Sequence, residues 1–434
     1  MVKIQQHLGK ITWTIVDKLL FVVFGLIMIV QYKFSTESEM GLYTLLMSLH
    51  TWIFIISDGL ALQGVILYGA KGENRRKVNT MGLWLHVAVT LSLSLLVLLL
   101  RVPFSDVFDL PQLRLLALVL PIMTFVTIPR AFCLKLLMRD LQMKQIFWMN
   151  FVWFSVRIIL TLYFIVNLQK GEILTLKNIV VIDVIGMAAG SLASILLSRG
   201  ILEFGHEGSI SFKEFISFGI RQAFVSGINN AVLLLDVFAI KLFFTIDTVG
   251  IYGLARFLFR IFQQAFDAVA SLLYPGAVRL VSENKMEDLK TLISKMLSFT
   301  VLPALVVVAI LEMGLSAWII TTFLPEKYWA AVGQFNVFAV GAILMPFVIL
   351  SAVVLALNAA QRLMYNAIIA SIFGFIALAT VGFLQIEMLI PLGILVYFAF
   401  LGFLNFAFVK KALDLPVSSL FRAVSDTRNF LLKR

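Results

Sequence analysis

The sequence predicts an all-α polytopic membrane protein with twelve transmembrane helices. Three observations carry this. Hydrophobic residues make up 61% of the 434-residue chain and charged residues 14%, against roughly 25% charged in soluble domains. Apolar runs of about 20 residues, the length that crosses the hydrocarbon core as a helix, recur along the whole chain. Strand-type alternation is not sustained, which argues against an outer-membrane barrel.

The first segment, MVKIQQHLGK, leads into a long apolar stretch without a small-residue cleavage site, so it reads as the first span rather than a removable signal. The expected spans are 11–32, 41–68, 80–101, 113–136, 145–168, 178–200, 215–242, 248–274, 291–312, 331–357, 363–385 and 389–410. The outer connection 314–331, GLSAWIITTFLPEKYWAA, is expected to form a partial helix at the interface. With both termini inside, 22 lysines and arginines fall on the inner side and 7 on the outer. That bias fits the positive-inside rule and an even number of spans. The net charge of +11 therefore reads as a cytoplasmic membrane face rather than a nucleic-acid surface. In the tail, 412–434, Leu420, Phe421, Val424 and Leu431 share an apolar face while Arg422, Arg428, Lys433 and Arg434 lie largely elsewhere, the pattern of a basic interfacial helix.

Catalytic and metal chemistry are poorly served. Cys133 is the single cysteine, and His7, His50, His86 and His206 have no ligand spacing. No phosphate-cradling GxxxxGK[ST] loop and no nucleophile–histidine pairing occur. The expectation is a non-enzyme without metal or organic cofactor.

The second and eighth spans repeat each other. GLY at 41–43 matches GIY at 250–252, and the same offset of 209 carries Asp58 onto Asp267. Six spans separate the copies, so the repeat is parallel, about an axis along the membrane normal. It implies a six-helix lobe at 1–200, a cytoplasmic linker at 201–214 (ILEFGHEGSISFKE), and a second six-helix lobe at 215–411.

Span eight is the polar exception in an apolar chain. Arg256, Arg260, Gln263 and Asp267 are spaced i, i+4, i+7 and i+11 and share one helix face. A charge turned toward acyl chains costs from about 2.5 to over 10 kcal/mol, depending on the reference. The stripe must meet protein, water or an anionic ligand. Other cations within the spans are Lys18, Arg130, Arg157 and Arg221. Arg130 lies near enough to the inner surface to snorkel. Asp17 or Asp58 stands as a partner for Lys18, and Asp236 or Asp267 for an arginine. Asp183, Asp236 and Glu312 fall nearer the outer ends, where solvation or pairing is expected. Thr44, Ser48, Thr51 and Asp58 in span two, and Gln222, Ser226, Asn229 and Asp236 in span seven, make two further polar stripes. They suit either a wet cavity or bonds between helices. Pro121, Pro129, Pro303 and Pro346 are expected to bend their helices.

GLY at the start of span two, DGLALQGVILYGA at 58–70, the basic loop after it, FLPEKYWAA at 323–331 and NAAQR at 358–362 follow one another in an order that resembles the polysaccharide-unit (O-antigen type) flippases. These belong to the multidrug/oligosaccharidyl-lipid/polysaccharide exporter superfamily. No single motif is specific; the order over twelve spans carries the resemblance. It implies two six-helix lobes in a V around a central cavity lined by spans one, two, seven and eight. It implies a bacterial inner-membrane protein that moves undecaprenyl-pyrophosphate-linked sugar units between leaflets by alternating access. Its partners would be the lipid-linked oligosaccharide, membrane lipids and other polysaccharide-assembly proteins. A diphosphate headgroup suits arginine's planar fork, so Arg256 and Arg260 come first as ligands, then Lys18 and Arg221, with Arg157 either a ligand or a lock within its own lobe. Thr51, Gln222, Ser226, Asn229 and Gln263 would face the sugars. Coupling to H⁺ or Na⁺ needs a site that differs between states; Asp17, Asp58 and Asp267 are the candidates.

The rival readings are a multidrug antiporter of the same fold and a lipid II flippase. The first would want acids where this chain has arginines. The second usually has fourteen spans. A membrane glycosyltransferase or polymerase needs a sizeable catalytic loop outside the membrane, and the connections here are short. A scaffold without transport of its own is a further class.

Overall fold

The computed structural model describes residues 2–70 and 72–415, apart from the side chains at 2–11, 14, 15, 225, 228, 229, 231, 271, 272 and 275. Lys71 of the basic loop and the expected interfacial helix of the tail, from 416 onward, lie outside the described residues. Among those residues the chain is helical, without strands.

The long helices follow the expected spans in order. They are α1 (Val2–Phe34), α2 (Glu37–Gly69), α3 (Gly72–Leu99), α4 (Leu113–Arg139), α5 (Met143–Val166) and α6 (Leu176–Ile201). Then come α7 (Phe212–Phe243), α8 (Ile246–Ser282), α9 (Met286–Phe323), α10 (Glu326–Ala356), α11 (Ala360–Leu384) and α12 (Glu387–Leu413). Nine of them, α2–α6 and α9–α12, are by length and composition able to cross a membrane. The other three run for 33, 32 and 37 residues. Loops end where capping side chains take over orphan backbone donors: Thr36 for α2, Thr175 for α6 and Ser211 for α7.

The outer connection after α9 behaves as its composition suggests. The helix kinks at Gly314, whose φ of +115° is open to glycine alone at little cost. It resumes over Ser316–Phe323. Trp318, Phe323 and Trp329 are exposed there, as aromatic side chains at a membrane–water boundary are. All four expected helix-bending prolines sit inside helices, and α10 is interrupted by a turn at 349–350, just after Pro346.

By its contacts the chain forms two units, residues 1–250 and 251–434. In the first, α1 packs on α5, α5 on α6, α6 on α4, α4 on α3, and α7 on α2. In the second, α12 packs on α10 and α11, and α9 on α10. The lobes expected from the repeat group α7 with the later helices; here it falls in the first unit because it packs against α2. The reason is the absence of side chains at the crossing. A Cβ on Gly59 would sit 2.6 Å from the Cα of Ala223, and one on Gly219 would strike the carbonyl of Leu60. Small residues let helix backbones approach in this way. The 201–214 stretch is docked, not loose. Asn74 Oδ1 accepts from the backbone of Ser209 at 2.7 Å and of Ile210 at 3.3 Å, and Asn79 Nδ2 donates to Glu203 O at 2.8 Å. Ile201, Ile210 and Phe215 complete an apolar core with Leu62, Phe132, Leu136 and Met149.

The repeat has a physical counterpart. A Cβ on Gly41 would fall on the carbonyl of Ile246, and one on Gly250 on the carbonyl of Glu37. Each would also lie 3.1 Å from the other glycine's backbone nitrogen. The offset of 209 exchanges Glu37 with Ile246 and Gly41 with Gly250, so the contact maps onto itself. Gly41→Ala and Gly250→Ala should each destabilise the protein by about 1–3 kcal/mol, the usual cost of overpacking. Gly200→Ala, where a Cβ meets nothing within 4 Å, should be neutral. Thermal unfolding in detergent decides it; three equal midpoints would refute the crossing.

Candidate functional site

The first unit pairs most of its intramembrane charges internally. Arg157 of α5, Tyr43 of α2 and Asp183 of α6 form one buried network. The Tyr43 hydroxyl donates to Asp183 Oδ2 at 2.7 Å and accepts from Arg157 Nη2 at 3.1 Å. Arg157 also makes an ion pair with Asp183 and lies 4.2 Å above the Phe24 ring of α1. Gly186, one turn on from Asp183, leaves room for the Arg157 side chain. Arg157, a candidate diphosphate ligand by sequence, thus has its guanidinium committed to partners on three other helices of its own unit, the arrangement of a structural lock. Asp183 is paired as its type requires in such a place.

Arg130 corrects an expectation. It does not snorkel. Its Nη2 donates to Asn150 Oδ1 at 2.7 Å, and its guanidinium stacks 3.9 Å above Trp153. Asn150 in turn donates to Asp17 Oδ1 at 2.8 Å. A partner within reach and a desolvated aromatic face, good for about 2 kcal/mol, hold it inward.

Asp58 corrects another. It pairs with Lys135 Nζ at 2.7 Å, rather than with Lys18, and accepts from Gln63 Nε2 at 2.7 Å. It opens a π-helical turn, Asp58–Leu62, a feature frequent at functional sites. Next to it, Ser57 Oγ and His86 Nδ1 are 2.6 Å apart. Lys135 lies within α4, which runs on to Arg139. Tyr43, Lys135, Asn150 and Trp153 were the members missed in these networks. Only Tyr43 carried a signal, its place in the repeated GLY motif.

The remaining candidates in the first unit are more open. Lys18 is half-buried, with Nζ 5.6 Å from the Phe21 ring centre. Arg221 is exposed, and Gln222, Ser226 and Thr51 are half-buried. The Asn229 side chain lies outside the described residues. Asp236 is buried, and its Oδ1 accepts from Val237 N at 2.9 Å. Of the stripe in α2, Ser48 is buried, and the Thr44 hydroxyl donates to its own helix, to Met40 O at 2.7 Å.

In the second unit α8 shows two unlike sides. Its apolar side is anchored: Phe259 lies 5.2 Å from Phe338 and 6.1 Å from Phe398, and Tyr252 5.4 Å from Phe338. Its polar side carries Arg260 and Asp267 exposed, and Gln263 and Gln264 half-buried. Arg256 is only 7% exposed. From Arg256 to Asp267 the stripe extends about 16 Å along the helix. Charge on a membrane helix needs a polar partner, water or a polar ligand, and Arg260 is the exposed cation of the stripe.

The lock in the first unit and the stripe of α8 respond differently to substitution. Asp183→Leu should cost about 3–5 kcal/mol, since it strands a buried guanidinium, while the double change Arg157→Met/Asp183→Leu should recover much of that. Chemical unfolding of the three proteins tests it; a double variant as unstable as the single one would show that the pair is not the lock.

Comparison with known proteins follows the same lines. A family described as polysaccharide biosynthesis protein matches residues 33–333. No curated protein matches. The inward-facing conformation of a multidrug resistance MATE family transporter of the MOP superfamily is similar at a TM-score of 0.69 and 13% identity, over 95% of this chain and 99% of that one. The lipid II flippase MurJ, in an inward closed conformation, is similar at 0.70 and 12%, over 98% and 92%. A eukaryotic MATE transporter, AtDTX14, is similar at 0.62 and 12%, over 96% and 98%. At these identities the likeness is one of fold, and these neighbours are transporters or flippases rather than enzymes. With the twelve-helix, two-lobe fold of these proteins and a family match over more than half of its length, the chain belongs to the polysaccharide biosynthesis protein family.

Proposed function

We propose that the protein flips a lipid-linked oligosaccharide of the undecaprenyl-pyrophosphate type across the bacterial inner membrane by alternating access, for assembly of a surface polysaccharide. The observation that carries this is the polar stripe of α8, with Arg260 exposed, in a member of a polysaccharide biosynthesis family. Arg256 and Arg260 hold the diphosphate; Lys18 and Arg221 are further ligands. Thr51, Gln222, Ser226 and Gln263 hydrogen-bond the sugars, while the polyprenyl tail stays in the bilayer. Such a tail never leaves lipid, so only the headgroup has to be carried past the apolar core.

Coupling to H⁺ or Na⁺ would use an acid whose surroundings change between states. Asp58 qualifies because its partners, Lys135 and Gln63, come from α4 and from the far end of the π-helical turn. Asp267 qualifies by exposure. Asp17 accepts from Asn150. The fold is shared with multidrug transporters, but an organic cation would be repelled by the two arginines of the stripe. The fold is equally shared with a lipid II flippase, so the headgroup is the point to be tested.

The test is movement of a fluorescent polyprenyl-diphosphate oligosaccharide between leaflets of proteoliposomes. The Arg256→Ala/Arg260→Ala variant should slow it by at least about tenfold, from loss of two charge-assisted contacts at roughly 1.5–3 kcal/mol each. Unchanged movement, or faster transport of an organic cation than of the lipid, would reject the reading. A lipid II analogue moved in preference would reassign the headgroup. Replacing Asp58 or Asp267 by Asn should abolish any dependence on an imposed ion gradient; if neither does, coupling lies elsewhere.

A further inference from the structure

A cavity of about 570 Å³ opens at one end of the second unit. It is lined by Arg362, at the start of α11, and by Ala407, Phe408, Lys411 and Ala412, at the end of α12. The two helices are antiparallel neighbours, so these ends share one membrane face. The positive-inside bias makes that face cytoplasmic. Deeper in, Asn366 Nδ2 donates to Asn405 Oδ1 at 3.0 Å, and both side chains are buried. This bond, one turn in from Arg362, ties the helices together beneath the cavity.

Arg362, Lys410 and Lys411 are exposed, and none makes an ion pair among the described residues. The acid nearest in the chain, Asp414, is also exposed and unpaired there. Of the other cations on the same face, Arg279 and Lys285 hold Glu283, and Lys290 holds Glu287. Below the cavity the lipid-facing sides of the two helices offer an apolar track. Tyr365, Ile369, Ile372 and Phe373 of α11 and Phe403 of α12 are each 40–67% exposed.

Cations at a cytoplasmic helix end above exposed hydrocarbon are complementary to one kind of molecule. We propose that this cavity binds the phosphate headgroup of an anionic phospholipid of the inner leaflet, with Arg362 and Lys411 on its oxygens and the acyl chains along α11 and α12. Basic pockets between helices on this face suit such headgroups. The chain's own tail suits them poorly, since residues 416–434 carry four cations and one acid and would set like charge against Arg362 and Lys411. The inference rests on the orientation given by the positive-inside bias. It is independent of the transported substrate.

The test is native mass spectrometry of the protein extracted from phosphatidylcholine vesicles containing phosphatidylglycerol. The wild type should retain phosphatidylglycerol in preference. Arg362→Gln/Lys411→Gln should retain at least about tenfold less, at roughly 1 kcal/mol per basic residue. Arg279→Gln/Lys290→Gln removes the same charge from another loop and should leave retention unchanged. Equal retention by all three proteins, or equal retention of phosphatidylcholine, would overturn the proposal. Displacement of the lipid by inorganic pyrophosphate would make this a free-anion site. Retention seen only after removal of residues 416–434 would make the tail the occupant. Either of these last results also overturns it. None depends on whether the oligosaccharide is flipped.

Discussion

A charge inside a bilayer must have a partner, and this constraint organises the described helices. In the first unit it is met by pairing. Arg157 with Asp183 and Tyr43, Lys135 with Asp58, and Arg130 with Asn150 join four of the seven helices of that unit. Each pair crosses between helices, so satisfying the charge also fastens the bundle. A buried pair of this kind adds little net stability against an apolar replacement, but losing one partner is expensive. It therefore enforces a particular arrangement of helices more than it strengthens one.

Close packing supplies the second constraint. Without a hydrophobic driving force between helices in lipid, association relies on contact of backbones and small residues. The crossings of Gly59 and Gly219, and of Gly41 and Gly250, bring backbones closer than any side chain allows. The second crossing joins equivalent positions of the two repeats.

The two copies of the repeat have diverged in how they treat charge. Asp58 is tied to Lys135, while its counterpart Asp267 is exposed. Met47 and Thr51 stand where the second copy has Arg256 and Arg260. The polar load is thus internal and structural around α2, and partly exposed along α8. That difference is what gives the stripe of α8 its functional reading, since a helix anchored by Phe259 and Tyr252 on one side presents Arg260, Gln263 and Asp267 on the other.

Hydrophobic runs and charge bias determined the number of helices and their order, because crossing a bilayer imposes length and composition locally, and motifs matched 209 positions apart disclosed the repeat. Every expected span coincides with one helix, and the kink at Gly314 and the partial helix after it lay within a stretch already set apart. The polar face of α8 was legible as well, because helical spacing needs no partner to be read. The partners themselves were not. Nothing in the chain links Lys135 to Asp58, 77 positions away, or sets Asn150 between Arg130 and Asp17. Arg130 looked able to reach the surface until the structure placed Trp153 and Asn150 beside it. Which cations are locked and which are exposed is decided by helix packing, and packing depends on contacts between residues remote in sequence. Only the tertiary structure could separate Arg157, buried with its acid, from Arg260, exposed on its helix.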